Sequence, residues 1–227
     1  MTSVFPSKTY AALWTGIVLT LAVSVGSVVV THAQVAPPHA CTLPAPQGYT
    51  VKNGTAGNDT VYLTRNTMFF GNGGNDRVLG TTGNHILCFG NGSDRVTLGR
   101  GNVEIDGGGG NNTITLGSGV GTIITGAGND KITLGNGART INAGHGDNRI
   151  ISGTGIQTIT TGNGADDIYS GPGADIINAG NGANFVDAGA GNDNVIAGTG
   201  DDEIDGGPDI DTCDADGGSN VVTNCEF

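Results

Sequence analysis

The sequence predicts an all-β fold, a right-handed parallel β-roll (a β-solenoid) with two sheets of short strands. Three observations lead to this prediction. Glycine makes up 43 of the 227 residues without the period of three that collagen shows. From Gly71 to Asp214 the chain divides into sixteen consecutive nonapeptides without an insertion or a deletion. The eighth residue of every nonapeptide is aliphatic except in the last, where it is Cys213. A flexible linker does not keep such a period, so we expect the array to fold.

Each part of the nonapeptide has a structural interpretation. Glycine occupies the second position in fourteen units and the fourth position in fifteen. Because glycine adopts positive φ angles without a steric cost, this pair predicts a tight turn. The next three or four residues then form a short strand whose eighth-position side chain points inward. Two nonapeptides make one coil of 18 residues, and we expect about eight coils stacked about 4.8 Å apart.

The amino-acid composition indicates which classes of partner the protein is expected to bind. The formal net charge is −12, and only 13% of the residues are charged. An acidic surface repels nucleic acids and anionic membranes and attracts cations. We therefore predict cations as partners and no binding of nucleic acid.

The N-terminus is typical of an export signal. Lys8 precedes an apolar stretch over residues 11–30, and Thr31-His32-Ala33 supplies small residues before a cleavage point at Ala33. The apolar stretch is also long enough to span a bilayer, so an uncleaved anchor remains an alternative. We predict a secreted protein with no membrane contact in its mature form unless the signal is retained. The predicted segments are a signal over 1–33, a Cys-containing segment over 34–52, a β-roll over 53–214 and a C-terminal cap over 215–227.

The four cysteines all follow this signal. An even number of cysteines in an exported chain implies disulfides, with three connectivities for four residues. We favour Cys213–Cys225, which closes a short loop, together with Cys41–Cys88. No C-x-x-C pair is present, which argues against a zinc or redox site.

Two of the nonapeptides show a family resemblance most clearly. Residues 71–79 (GNGGNDRVL) and 125–133 (TGAGNDKIT) resemble the unit G-G-x-G-x-D-x-U-x of RTX, or haemolysin-type, calcium-binding repeat proteins. The resemblance covers residues 53–214, with Gly54–Tyr62 as an additional unit. It implies that Ca²⁺ lies between adjacent coils and is held by turn carbonyls and by the sixth-position Asp. Such ligands suit a hard cation that takes six or more oxygens.

The sixth positions alternate between the two turn edges of the predicted roll. On the first edge every side chain offers an oxygen; the residues are Asp76, Asp94, Asn112, Asp130, Asn148, Asp166, Asn184 and Asp202, with Asp59 preceding them at an offset of 17 instead of 18. On the second edge His85, Val103, Gly121, Arg139 and Gln157 depart from the pattern, and Asp175, Asp193 and Asp211 restore it. We predict calcium along the first edge and only at the C-terminal end of the second. The alternative is that these residues merely cap turns.

The outward positions suggest two surfaces. Arg77, Arg95, Lys131 and Arg149 form a cationic row, interpreted as compensation for the acidic edge in preference to a polyanion-binding stripe. Thr122, Thr140 and Thr158 form a row on the other sheet, which resembles the flat Thr ladders of ice-binding solenoids. Binding to ice or to another ordered surface is therefore the alternative function.

Nothing in the sequence indicates catalysis. Residues 34–70 and 215–227, which flank the repeats, are too short for a catalytic domain. The chain has no H-E-x-x-H and no G-x-S-x-G motif. We expect His39, His85 and His145 to be solvated turn residues. The prediction is a non-enzymatic, secreted structural module whose folding extracellular calcium stabilises, serving as a spacer, an adhesive or a matrix component.

Overall fold

The computed structural model describes residues 40–42 and 44–226. The chain forms two compact units, Met1–Leu43 and Pro44–Phe227. In the first unit the described residues form a single 3-10 turn at Ala40–Thr42. The predicted signal over residues 1–33 lies outside the described residues. No helix in the described part of the chain is long and apolar enough to cross a membrane.

The second unit is a parallel β-solenoid with two ten-stranded sheets, which confirms the predicted fold class. Sheet I contains β1 (Thr50–Asn53), β3 (Thr67–Phe70), β5 (His85–Cys88), β7 (Val103–Asp106), β9 (Gly121–Ile124), β11 (Arg139–Gly144), β13 (Gln157–Thr161), β15 (Ile176–Gly180), β17 (Asn194–Ala197) and β19 (Thr212–Asp214). Sheet II contains β2 (Thr60–Leu63), β4 (Arg77–Thr82), β6 (Arg95–Arg100), β8 (Thr113–Leu116), β10 (Lys131–Leu134), β12 (Arg149–Ile151), β14 (Asp167–Tyr169), β16 (Phe185–Asp187), β18 (Glu203–Asp205) and β20 (Val221–Thr223).

The strand register follows the repeat length. Ile114, Ile132 and Ile150 lie opposite one another on neighbouring strands, each 18 residues from the next. The N-terminal coil is one residue shorter, since Thr60 lies opposite Arg77. Strands β1, β2 and β3 precede the sixteen-unit array and β20 follows it, so the solenoid has about ten coils instead of eight.

The eighth-position column forms the centre of the core, as predicted. Its aliphatic members from Val78 to Ile204 are at most 2% exposed. The first position of the nonapeptide also faces inward, which the sequence interpretation had overlooked. That column narrows along the chain, with Phe89, Leu98, Leu116 and Leu134 near the N-terminal end and Ala143, Ala179, Ala188 and Ala197 near the other. The alternation of positions six, eight and one therefore sets the whole interior.

Two structural constraints require glycine at the fourth position of the nonapeptide. Gly128 and Gly200 have φ angles of +143° and +152°. In addition, a β-carbon on Gly128 would clash with the carbonyl oxygen of Gly110 in the preceding coil. Glycine is thus needed both for its φ angle and for the close approach of stacked turns. The last turn replaces it with Asp209, which adopts φ +92°.

All four cysteines are disulfide-bonded. Cys213 and Cys225 form one disulfide with their Cα atoms 5.8 Å apart, as predicted. Cys41 and Cys88 are each in a disulfide as well, so the described residues include no free cysteine. The first disulfide attaches the chain that follows the last nonapeptide to the end of sheet I.

Candidate metal sites along the two turn edges

The sixth-position side chains are buried on both edges. The first edge consists of the turns that precede the strands of sheet II, and the second edge of the turns that precede those of sheet I. Every sixth-position Asp or Asn from residue 76 to residue 211 is at most 3% exposed. Because residues six, eight and one point the same way, the repeat itself turns the sixth-position carboxylate inward.

A continuous hydrogen-bond ladder links the first-edge residues. The main-chain N–H of each donates to the side-chain Oδ1 of the residue one coil further along. The steps are Asp59 to Asp76 (2.9 Å), Asp76 to Asp94 (2.7 Å), Asp94 to Asn112 (3.0 Å), Asn112 to Asp130 (2.6 Å), Asp130 to Asn148 (3.0 Å), Asn148 to Asp166 (2.8 Å), Asp166 to Asn184 (3.1 Å), Asn184 to Asp202 (2.9 Å) and Asp202 to Asn220 (2.9 Å). The structure thus brings all nine predicted first-edge residues together, despite the offset at Asp59. Asn220 ends the ladder and was not predicted.

The second carboxylate oxygen distinguishes Asp from Asn in this ladder. The Oδ2 atoms of five first-edge residues are buried without a hydrogen-bond partner; they are Asp76, Asp94, Asp130, Asp166 and Asp202. Asp59 differs, since its Oδ2 accepts hydrogen bonds from the N–H and the hydroxyl of Thr55 at 2.6 and 3.1 Å. A buried, charged oxygen without a donor or a cation is costly.

The Asn residues satisfy the same turns with protein atoms alone. Their Nδ2 groups donate to fourth-position carbonyls: Asn112 to Gly110 at 3.0 Å, Asn148 to Gly146 at 2.9 Å and Asn184 to Gly182 at 3.1 Å. A carboxylate has no hydrogen to donate to those carbonyls. A turn that carries Asp therefore needs positive charge from elsewhere, whereas a turn that carries Asn does not.

The surroundings of the unpartnered oxygens suit a hard cation. A β-carbon on Gly71 would clash with Asp76 Oδ2 and lie 2.9 Å from the carbonyl oxygen of Phe89 in the next coil. Carboxylate and carbonyl oxygens thus converge over a glycine that leaves room between them. These are the ligands that Ca²⁺ takes in proteins. Among the described residues no group of three or more His, Cys, Asp or Glu side chains gathers at one point, so carbonyl oxygens are required to complete any site.

The electrostatics is most unfavourable where two acids are neighbours. The pKa values of Asp94 and Asp193 are raised to about 6, mainly by desolvation. The charges of neighbouring carboxylates also contribute to raising these pKa values. For Asp94 the added charge is that of Asp76; for Asp193 it is first that of Asp175. Desolvation also raises the pKa of Asp130 and other buried sixth-position acids. A bound cation would remove this cost.

The C-terminal part of the second edge repeats the acidic arrangement. The N–H of Gln157 donates to Asp175 Oδ1 at 2.6 Å, that of Asp175 to Asp193 at 2.7 Å and that of Asp193 to Asp211 at 2.8 Å. The Oδ2 atoms of all three Asp residues are buried and unpartnered. This edge therefore offers consecutive doubly acidic pairs, as the sequence predicted.

The central part of the second edge uses side-chain donors instead. Gln157 Nε2 donates to the carbonyls of Gly137 and Gly155, at 3.0 and 2.9 Å, and so bridges two successive turns. Arg139 is buried, and its Nη2 donates to the carbonyl of Gly117 at 2.7 Å. Donor side chains in phase with the Asp residues are the sequence signal that would have identified this arrangement.

His85 corrects one expectation. It is 2% exposed at the start of β5 and not a solvated turn residue, because the sixth position points inward whatever residue occupies it. Desolvation lowers its pKa accordingly. His145 is exposed in a turn, as expected, and His39 lies outside the described residues.

The outer face of sheet I carries the uncharged threonine row, and the outer face of sheet II carries the cationic row. Thr122, Thr140 and Thr158 lie directly opposite one another on β9, β11 and β13, so the predicted row is present. On sheet II the cationic row is partly compensated, since Arg149 forms an ion pair with Asp167 at 2.5 Å.

Comparison with known protein families agrees with this geometry. The family described as RTX calcium-binding nonapeptide repeat (4 copies) matches residues 69–84 and, in overlapping segments, 90–222, which is well over half of the chain. No curated protein and no solved structure shows a significant match.

Proposed function

Because this chain belongs to the RTX calcium-binding nonapeptide repeat family, we propose that it is a secreted structural module whose folding is stabilised by extracellular calcium. The family membership makes it a calcium-binding β-roll. The observation that carries the rest is the series of buried Asp Oδ2 atoms without partners, which make the calcium-free fold electrostatically costly.

The same acids provide the switch. Where calcium is scarce, the stacked carboxylates repel one another and the glycine-rich chain loses much entropy on folding. Where calcium is abundant, ions bind the native turns and not the unfolded chain, which stabilises the fold by mass action. The export signal predicted over residues 1–33 and the two disulfides favour an extracellular location.

The role proposed for the folded module is mechanical. Ten parallel coils stacked about 4.8 Å apart form a stack roughly 43 Å long. Since the buried acids are already engaged in the turn ladders, we assign the module no catalytic role. It would serve as a spacer, an adhesive element or a component of an extracellular matrix.

The decisive experiment is a calcium titration of the purified full-length protein, followed by circular dichroism and thermal unfolding. Magnesium is the matched control, because it demands tighter octahedral geometry and releases its water reluctantly. We expect calcium, and not magnesium, to increase the β-sheet signal and to raise the melting temperature markedly. A roll equally stable in calcium and in excess chelator would refute calcium-coupled folding.

A second candidate function rests on the Thr row of sheet I. Thr140 and Thr158 are exposed and in register, and parallel strands space them about 4.8 Å apart. Such a row offers regularly spaced hydroxyls and methyl groups to an ordered surface such as ice. Inhibition of ice recrystallisation by the wild type, abolished in the double variant Thr140→Lys and Thr158→Lys, would support this function, and no inhibition by the wild type would exclude it.

A further inference from the structure

The chain beyond the last nonapeptide returns to the second edge. The N–H of Asp211 donates to Glu226 Oε2 at 2.6 Å, and the N–H of Glu226 donates to the carbonyl oxygen of Asp211 at 2.7 Å. The first of these bonds repeats the ladder step in which Asp193 donates to Asp211 Oδ1 at 2.8 Å. Glu226 therefore takes the place of the next sixth-position acid.

This equivalence is invisible in the repeat pattern. Glu226 follows Asp211 by 15 residues and not by 18, and it lies outside the nonapeptide array. Its side chain is one methylene longer than that of Asp, which gives its carboxylate additional reach. The second edge thus ends in four acids in a row, namely Asp175, Asp193, Asp211 and Glu226.

Oxygen atoms converge at this end of the edge. Asp211 is completely buried, and its Oδ2 has no hydrogen-bond partner. A β-carbon on Gly206 would lie 3.0 Å from Asp211 Oδ2 and would clash with the carbonyl oxygen of Asn224. In the turn of Asp76, the carbonyl oxygen near Gly71 belongs to Phe89, which lies one coil further along. In the turn of Asp211, the carbonyl oxygen near Gly206 belongs to Asn224, which also lies one coil further along. The last turn therefore repeats the oxygen arrangement of a turn inside the array.

A disulfide and main-chain hydrogen bonds hold the C-terminal segment, which supplies Glu226 and the carbonyl oxygen of Asn224, against the last coil. The Cys213–Cys225 disulfide is adjacent in sequence to Glu226. The N–H of Gly206 also donates to the carbonyl oxygen of Thr223 at 3.0 Å. The segment over residues 223–226 is thus attached to the last coil at three points, namely Thr223, Cys225 and Glu226.

We propose that Asp211, Glu226 and the carbonyl oxygen of Asn224 form a terminal calcium site outside the nonapeptide pattern. This site rests on the proposed calcium-binding function and extends it to the C-terminal segment. The ion neutralises two neighbouring carboxylates, one of which is buried without a donor. The disulfide keeps the two halves of the site together, so the terminal ion closes the acidic end of the roll.

The test is the number of calcium ions bound per full-length chain, measured by isothermal titration and by equilibrium dialysis with calcium. Glu226→Gln retains an oxygen that can accept the hydrogen bond from Asp211 but removes the charge. Glu203→Gln is the matched control, because Glu203 is exposed on β18 and belongs to neither ladder. We expect Glu226→Gln to bind one ion fewer than the wild type and Glu203→Gln to bind the same number.

An unchanged number of ions in Glu226→Gln would overturn the terminal site, while the calcium-binding function would stand. An equal loss in both variants would also overturn it, since the effect would then reflect overall charge. A wild type that binds no calcium would refute the proposed function itself. Circular dichroism of both variants in calcium, matching that of the wild type, establishes that the comparison is between folded proteins.

Discussion

The first edge and the centre of the second edge have the same backbone but different chemistry at the sixth position. Around Asp94 the turn contains a buried carboxylate oxygen with no donor. Around Gln157, on the other edge, a side-chain amide donates to the carbonyls of two successive turns. In the Gln157 turn the protein itself supplies donors to the stacked carbonyls, whereas a turn with Asp leaves that place to a cation.

Under the proposed function, this comparison makes calcium dependence a local property of each turn. The first edge alternates Asp with Asn from Asp94 onward, so turns that need an ion are separated by turns that do not. The end of the second edge has no such interruption between Asp175 and Asp211. We therefore expect the C-terminal coils to depend on calcium most strongly and the central second edge not to depend on it.

The largest difference in calcium affinity should appear between the variants Asp193→Ala and Asn148→Ala. Asp193 lies between two other acids, so its removal takes a carboxylate from two neighbouring pairs. We expect calcium affinity at the C-terminal sites to fall at least about tenfold, which corresponds to about 1.4 kcal/mol. Asn148→Ala should change calcium affinity little, but it removes donors to turn carbonyls and should destabilise the chelated protein by about 1 kcal/mol. Calorimetric titration and thermal unfolding measure the two quantities, and equal effects on affinity would contradict the comparison.

A smaller effect, on stability in chelator, should come from converting a turn with a side-chain amide donor into a turn with a carboxylate. Gln157→Glu keeps the size of the side chain but replaces its donor amide with a charged acceptor beside two carbonyls. In chelator we expect a loss of about 1–3 kcal/mol, which lowers the melting temperature by about 2–4 °C per kcal/mol. Calcium should restore part of this loss, whereas the wild-type Gln157 turn gains nothing from the ion.

Thr158→Ala, next to Gln157 but exposed, is the control for this experiment and should change neither quantity substantially. If Gln157→Glu were as stable as the wild type in chelator, the amide would not be the partner that the turn carbonyls require.

The smallest expected effect is a pH dependence that reverses with calcium. Asp94 and Asp193 have a pKa of about 6 in the folded protein and an ordinary value of 3.8 when unfolded. Folding therefore favours their protonated forms, and this contribution is complete below about pH 4 and lost as the pH rises through about 6. In chelator the protein should melt a few degrees higher near pH 5 than near pH 7.5. In saturating calcium the order should reverse, because protons compete with the ion; a melting temperature independent of pH in chelator would contradict the assignment.

Much of the candidate site could be predicted from the sequence because its period equals the period of the coil. Once 18 residues make a coil, Asp76 and Asp94 must lie on the same edge, and Asp175 must lie on the other. The buried Gln157 and Arg139 were recognised as departures from the pattern, but their role as donors was not. A sequence shows which residue occupies a position and not whether a neighbouring carbonyl lacks a donor.

By itself the sequence determined the fold class and, within the sixteen nonapeptides, the strand register and the membership of the two acidic rows, since each follows from a strict nine-residue period acting through local backbone geometry. Only the tertiary structure decided which carboxylate oxygens remain unpartnered, that His85 is buried and that Glu226 continues the row begun by Asp175. These features depend on contacts between coils, which bring together groups whose spacing, as in the 15 residues from Asp211 to Glu226, breaks the period. Periodicity reports what recurs along the chain, whereas closure of the last coil depends on side-chain reach and on the Cys213–Cys225 disulfide.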